Sequence, residues 1–136
     1  TISDFLGFEE KSAVHNRFAE WFDRGGVCFL AKLKESAAAL LWAIPGGRVQ
    51  ISSNLAVNLN ENEVLLTDES VSPVFEKTEV GVLLWTHVVE YFAKTGVMMV
   101  AVCPRKRNDR FAHLKNLGFE EDNRLRTLRV FGLKLY

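Results

Sequence analysis

The sequence predicts an α/β (α+β) domain with a mixed central sheet flanked by helices. Segments with helical periodicity alternate with strand-like apolar runs in the order helix, hairpin, strand, helix, strand, helix, strand. A strand-helix-strand crossover in the second half places two parallel strands side by side. The length of 136 residues fits one domain over residues 1–136, and the apolar share of 48% indicates a packed core rather than a disordered chain.

The charge balance excludes several classes of partner. Lys and Arg number 17, as do Asp and Glu, so no overall charge attracts the chain to nucleic acid or to an acidic membrane, and neither partner is expected. The longest mostly apolar stretch, residues 80–92, is too short to span a bilayer. The first residues lack the basic start and apolar core of a signal peptide, which favours a cytoplasmic location. The missing initiator Met is expected from Met removal or from excision of a domain.

The first half of the chain predicts a helix followed by a hairpin. Residues 9–23 carry one apolar stripe at helical spacing, formed by Val14, Phe18, Trp21 and Phe22. Residues 27–33 and 37–44 are apolar runs on either side of a charged segment, which is typical of a hairpin. Pro-Gly-Gly at 45–47 predicts a turn, and 48–59 a weaker strand or a loop.

The second half predicts the crossover. Residues 64–71 form a strand, and 79–94 form a helix that ends before Gly96 and turns Leu84, Val88, Val89 and Phe92 inward. Residues 97–102 are a continuous apolar run, as expected of a central strand covered on both faces. Residues 107–117 predict a short basic helix that buries Phe111, Leu114 and Leu117, and 124–136 predict a final strand.

Residues 65–119 resemble the core of the GCN5-related N-acetyltransferase family. The strand Leu-Leu-Thr-Asp-Glu-Ser-Val-Ser-Pro at 65–73 has the family's acidic residue before a Val-x-Pro. Gly81 stands where the last glycine of the acyl-CoA loop falls, and Leu-Gly-Phe at 117–119 follows the next strand at the expected distance. The resemblance implies an acyl-CoA N-acyltransferase-like fold, without the family's first strand.

The same resemblance implies acetyl-CoA as co-substrate, an amine-bearing acceptor and a set of site residues. A carboxylate of the strand, Asp68 or Glu69, would accept a proton from the amine. Backbone groups of Glu69, Ser70 and Val71 would pair with the pantetheine amides. Cofactor phosphates would lie near Gly81 and near cations after the next strand, with the site completed by Arg105, Arg107 and Asn108. Whether the chain forms a homodimer stays open.

Several residues depart from the family's pattern. With Val71 and Pro73 in register, Glu76 takes the Arg/Gln position of the loop and Glu79 the position of its central glycine. Two carboxylates there would repel a polyanion. Leu114 replaces the tyrosine that protonates the leaving thiolate, and Arg107 takes the expected Asn position, one place before Asn108.

Each candidate residue also has a structural interpretation. Side chains alternate along a strand, so only one of Asp68 and Glu69 can face a substrate groove, and either carboxylate could instead be satisfied by a neighbouring arginine or by solvent. The basic residues from Arg105 onward could be a solvated helix face. Cys103 could be a nucleophile or a buried thiol, and Cys28 and Cys103 are predicted to be unpaired. The three histidines lack a metal-binding spacing, and no metal is expected.

Two functions therefore remain open from the sequence. One is an acyl-CoA-dependent N-acyltransferase that transfers an acetyl group to an amine. The alternative is a non-catalytic binding, regulatory or assembly module with the same fold, because fold alone does not fix function.

Overall fold

The computed structural model describes residues 12–52, 55–103 and 108–120. These residues form three α-helices and four strands. The helices are α1 (Ser12–Asp23), α2 (Val80–Ala93) and α3 (Asn108–Asn116). The strands are β1 (Val27–Leu33), β2 (Ser36–Ser52), β3 (Leu55–Val71) and β4 (Met98–Ala101), and a 3₁₀ turn at Pro73–Phe75 follows β3.

The four strands form one mixed sheet in the order β1-β2-β3-β4. Strand β2 pairs antiparallel with β1 and with β3, while β3 and β4 are parallel. Helix α2 makes the crossover between the parallel strands. This confirms the predicted fold class and the prediction that the strands at 64–71 and 97–103 are parallel neighbours, which pair from Glu63 opposite Met98 to Leu66 opposite Ala101.

Helices cover both faces of the sheet. On one face, Phe18 and Trp21 of α1 pack on a cluster that includes Trp42, Ile44 and Leu65. On the other face, α2 and α3 pack on Leu41, Ala43, Val64 and Leu66. The three tryptophans are each at most 1% exposed, as predicted for core residues, whereas Phe22 at the end of α1 is 41% exposed.

The predicted turn at residues 45–47 is wrong. Strand β2 runs through Pro45, Gly46 and Gly47, and the irregularity lies opposite them, where Pro45 faces Val64 but Gly47 faces Leu59. Four residues of β3 therefore bulge there, and a Cβ on Gly46 would lie 2.7 Å from the carbonyl oxygen of Asn60. The glycine permits this close approach between strands instead of reversing the chain.

Residues 48–59 are mostly strand because the end of β2 pairs with the start of β3. The ends of β2 and β3 pair with each other from Gly47 opposite Leu59 to Ser52 opposite Leu55. The guanidinium of Arg24 donates hydrogen bonds to the carbonyls of Gly46 and Arg48, which joins the end of α1 to this irregular part of β2. The predicted weak strand is thus the two arms of a long hairpin.

The predicted final strand at 124–136 and the start of the first helix at 9–11 lie outside the described residues. The bounds of β1, α2, β4 and α3 agree with the sequence prediction to within one residue, for example Val80–Ala93 against 79–94, whereas the strands predicted at 37–44 and 64–71 are parts of the longer β2 and β3. None of the described helices is long and apolar enough to cross a membrane.

Cys28 and Cys103 form no disulfide in the part of the chain that the structure describes, and they differ in burial. Cys103 is 2% exposed, whereas Cys28 on β1 is half-buried. We expect a thiol reagent to label Cys28 in the native protein slowly and Cys103 only on unfolding, because a reagent cannot reach a thiol inside the core. A Cys28→Ser variant isolates the Cys103 signal. Rapid labelling of that variant in native buffer would contradict the burial of Cys103.

Candidate functional site

The candidate site lies where the pairing of the two parallel strands ends. The register of β3 and β4 ends at Leu66 opposite Ala101, and the amide of Val102 donates to the Leu66 carbonyl at 2.9 Å. Strand β3 continues through residues 67–71, and within the described strands these residues have no residue of β4 opposite them. We call the space between residues 67–71 and the end of β4 the cleft.

A β-bulge at Asp68 shapes this segment of β3. Thr67 lies opposite Trp42 and Ser70 opposite Leu40, so three steps on β3 correspond to two on β2. Asp68 is the extra residue, and its φ of 58° is in the left-handed region, which aspartate tolerates better than most residues. Asp68 is half-exposed. The bulge therefore breaks the simple alternation that the sequence predicts.

The bulge turns Glu69 toward the helix layer of α2 and α3. Both carboxylate oxygens accept hydrogen bonds from Arg110 of α3, Oε1 from Nε and Oε2 from Nη2, each at 2.7 Å. The indole Nε1 of Trp85 donates to the same Oε1 at 2.6 Å. The side chains of Arg110 and Glu69 are 5% and 7% exposed. Of the two interpretations of this carboxylate, the arginine-paired one is the contact that is observed.

Gly81, the second residue of α2, provides the space for this ion pair. A Cβ on Gly81 would lie 2.6 Å from Nη2 of Arg110 and 2.8 Å from Oε2 of Glu69. Such distances are shorter than any stable contact between these atoms. In this structure the glycine is thus required by packing against the pair.

A second polar contact joins α2 to α3 one turn further along. The Oγ1 of Thr86 lies 3.4 Å from Nε2 of His113 and donates to the carbonyl of Val82. Burial, followed by the nearby Arg110 cation, lowers the pKa of His113. His113 is therefore held mainly neutral at neutral pH, which avoids a second positive charge beside Arg110.

The segment between β3 and α2 carries exposed carboxylates. Glu76 and Glu79 are both exposed, and Glu79 is the N-cap of α2 without a side-chain hydrogen bond to the helix. A helix N-terminus attracts anions through its free N–H groups and its dipole. The two carboxylates oppose that attraction for an incoming phosphate.

The other predicted site residues do not all lie beside the cleft. Ser70 and Val71 pair with Leu40 and Ala39 of β2 on the side away from the cleft. Arg105 and Arg107 lie outside the described residues, and Asn108 is the first residue of α3. Cys103, two residues after the end of β4, is buried in the core layer under α2. Leu114 is 1% exposed in the same layer.

A separate groove of about 430 Å³ lies at the start of β4, at the opposite end of that strand from the cleft. Most of its lining is apolar, from Val89, Val97, Met98, Met99, Leu117 and Phe119. Within the described ranges, no group of three His, Cys, Asp or Glu side chains is arranged to hold a metal ion.

Sequence reasoning missed Arg110 and Trp85 as partners of Glu69. A signal was present, because Arg110 falls on the same helical stripe as Leu114 and Leu117, four and seven residues further on. A charged residue on an apolar stripe predicts a buried partner. Which carboxylate 41 residues away would supply it could not be deduced from local sequence.

With this geometry described, the comparison with solved structures defines the fold. The chain has the fold of the GCN5-related N-acetyltransferases. The ribosomal-protein-S18-alanine N-acetyltransferase from Escherichia coli matches with a TM-score of 0.59 and 20% identity, over 79% of this chain and 61% of that chain.

Two further structures agree. The IAA acetyltransferase from Bacillus cereus ATCC 14579 has a TM-score of 0.61 and 15% identity, over 87% of this chain and 68% of that chain. AAC(6')-Iy in complex with the bisubstrate analogue CoA-S-monomethyl-acetylneamine has a TM-score of 0.57 and 18% identity, over 88% and 80%.

These likenesses concern the fold. No protein-family model and no curated protein sequence matches the chain. The chain spans about three-fifths of the length of the E. coli enzyme. Activity, substrate and partners are therefore matters for proposal.

Proposed function

We propose that the chain is an acyl-CoA-dependent N-acyltransferase that transfers an acetyl group from acetyl-CoA to an amine. The observation that carries the proposal is the end of the β3–β4 ladder after Leu66, beyond which residues 67–71 have no residue of β4 opposite them among the described strands. The fold shared with N-acetyltransferases supports the same reaction class. The bisubstrate analogue bound by AAC(6')-Iy supports acetyl-CoA as the co-substrate.

The pantetheine arm fits the cleft as an added strand. Its amides would pair with backbone groups of Glu69, Ser70 and Val71 on the edge that β4 no longer covers. Residues 68–71 are all partly exposed, although the side chain of Glu69 is almost fully buried. This partial exposure supports pairing with an extended ligand.

The phosphates of CoA fit less well. They would lie at the start of α2 near Gly81, where Glu76 and Glu79 are exposed. Compensating positive charge would come from Arg105 and Arg107, with Asn108 beside them at the start of α3. We therefore expect weak binding of CoA by the natural sequence.

The acyl transfer needs one proton acceptor and one proton donor. The amine nitrogen attacks the thioester carbonyl, the new N–C bond forms, and the C–S bond breaks. We assign the amine proton to Asp68, directly or through water, because Asp68 is partly exposed whereas the side chain of Glu69 is buried against Arg110 and Trp85. Leu114 offers no proton, so the thiolate of CoA takes its proton from water.

Titration of CoA into variants with substitutions at the start of α2 tests the proposed position of the CoA phosphates. Replacing Glu76 by Arg together with Glu79 by Gly removes two negative charges and adds one positive charge near the helix N-terminus. We expect CoA affinity to rise by about tenfold or more, since charge-assisted contacts to phosphate are among the stronger hydrogen bonds. Isothermal titration calorimetry of both proteins gives the ratio of dissociation constants.

A Glu90→Arg variant is the matched control, because Glu90 is exposed on the same helix but in its last turn. It should change CoA affinity little. If the parent binds CoA at micromolar levels and the Glu76/Glu79 change weakens binding, the placement of the phosphates is wrong. Acetyl transfer from acetyl-CoA to amines by the parent, followed as free thiol, then tests catalysis itself.

A second candidate function is supported by Leu114. Its side chain is 1% exposed and packed in the core where the resemblance expects the hydroxyl of a tyrosine. Together with the two carboxylates at the start of α2, this favours a non-catalytic module that retains the fold. The same titrations separate the two, because such a module binds no CoA in either form.

A further inference from the structure

We propose that the Glu69–Arg110 ion pair is a brace that sets the width of the cleft, and that Glu69, Arg110 and Gly81 are positioning residues. The part of this inference that concerns acyl-CoA rests on the proposed function. The part that concerns the separation of the strands does not.

The position of the pair supports the brace. Backbone pairing between β3 and β4 reaches Leu66 and Val102. Glu69 lies three residues beyond that point on β3, and Arg110 lies on α3, the helix that follows β4. The pair thus connects β3 to the element after β4 on the helix side of the sheet, just beyond the end of the strand ladder.

The geometry makes this connection rigid. A guanidinium that donates two parallel hydrogen bonds to one carboxylate is fixed in both distance and plane. Here both bonds are 2.7 Å long and the side chains are 5% and 7% exposed. The Nε1 of Trp85 fixes the same carboxylate from α2. One carboxylate therefore holds β3, α2 and α3 together.

Gly81 provides the space in which the same ion pair forms. Its missing Cβ lets the carboxylate and guanidinium lie against the start of α2, with Nη2 of Arg110 2.6 Å and Oε2 of Glu69 2.8 Å from where that atom would be. Gly81, which the family resemblance places in the phosphate-binding loop, is thereby explained by its packing against the ion pair. Any larger residue would push α2 away from β3 or break the pair.

The functional consequence is preorganisation. Strand ends that lack cross-strand hydrogen bonds fluctuate more than paired ones. A brace holds residues 67–71 at a fixed distance from the end of β4, so an extended ligand does not have to order both walls when it binds. Loss of the ion pair should therefore weaken the hydrogen bond from the Val102 amide to the Leu66 carbonyl, and it should weaken the binding of an extended ligand in the cleft.

The test uses a double variant, Glu69→Leu with Arg110→Met, in which no buried charge is left unpaired. Native-state amide hydrogen exchange is measured at Val102, whose amide makes the last β3–β4 hydrogen bond, and at Leu30 and Ala31 of β1 in the β1–β2 hairpin, which do not pair with β3. We expect protection at Val102 to fall by about tenfold relative to the hairpin, within the coupling range of groups that share one network. CoA affinity in the same variant should fall by a similar factor.

Lys115→Met is the matched control, because it removes an exposed cation from the same helix. It should alter neither measurement. The isosteric Glu69→Gln variant is a second, milder probe that keeps an acceptor for Trp85, and it should shift Val102 in the same direction by a smaller factor.

The outcomes separate the two proposals. If the parent binds no CoA, the proposed function fails, while the exchange at Val102 still decides the brace. Unchanged protection at Val102, or an equal loss in the β1–β2 hairpin, would overturn the brace. Tighter CoA binding by the double variant would also overturn it, because the pair would then obstruct the cleft.

Discussion

Replacing Arg110 by Met alone is expected to lower the free energy of unfolding by about 3–5 kcal/mol, because it leaves the buried carboxylate of Glu69 without its partner. That loss is large beside the total stability of a typical domain. Urea denaturation followed by tryptophan fluorescence measures it, since all three tryptophans are buried. The double variant with Glu69→Leu should lose less than either single change, because both charges are then gone.

The control for this prediction is again Lys115→Met, which should change the free energy of unfolding by less than about 0.5 kcal/mol. The side chain of Lys115 is exposed, with its Nζ 4.8 Å from the ring centroid of Phe111. An Arg110→Met protein as stable as the parent would show that the pair is not formed in the buried geometry described above.

Gly81→Ala is expected to destabilise the chain although alanine is the better helix former. The gain in helix propensity is about 1 kcal/mol, whereas inserting a methyl group into a filled site costs about 1–3 kcal/mol. The new Cβ would meet Arg110 and Glu69 at distances below 3 Å, and neither side chain can move without breaking the ion pair. We therefore expect a net loss in the parent background.

The double variant provides the decisive background for Gly81→Ala. With Leu at 69 and Met at 110, the two atoms that crowd the new methyl group are absent, and the propensity gain remains. The sign of the effect should reverse, so the same substitution should then stabilise the chain slightly. A loss of equal size in both backgrounds would place the crowding elsewhere, for example at Val71, whose Cγ2 would lie 3.4 Å from the new Cβ.

Local patterns in the sequence predicted the elements that depend on local chemistry. The stripes of α2 and α3 and the apolar run of β4 gave the crossover and the parallel pair that the structure confirms. The turn predicted at residues 45–47 is wrong because that prediction, too, depends on local chemistry alone. Proline and glycine favour turns locally, but here pairing with β3 and the donors of Arg24 keep the segment extended.

The candidate site was harder to predict because its key contacts are distant in sequence. The cleft position followed from the resemblance, but the role of the Glu69 side chain depended on a bulge that alternation does not reveal. The Arg110 partner depended on the packing of α3 against β3 across the crossover. Burial of a charge is a tertiary property, and a strand pattern alone cannot assign it.

The bulge at Asp68 also determines how this strand can change by insertion and deletion. A chain that lost this one residue would keep Glu-Ser-Val on their present sides of the sheet, because the glutamate would follow Thr67 directly and lie opposite Leu41 in simple alternation. A chain that kept the residue but paired it regularly with Leu41 would instead turn the carboxylate of Glu69 to the face that packs against α1, without Arg110. A one-residue gap at this position in a related sequence would thus be compatible with the same ion pair, whereas loss of the bulge without a deletion would exchange the two surfaces of the strand end, and with them the residues available to a ligand.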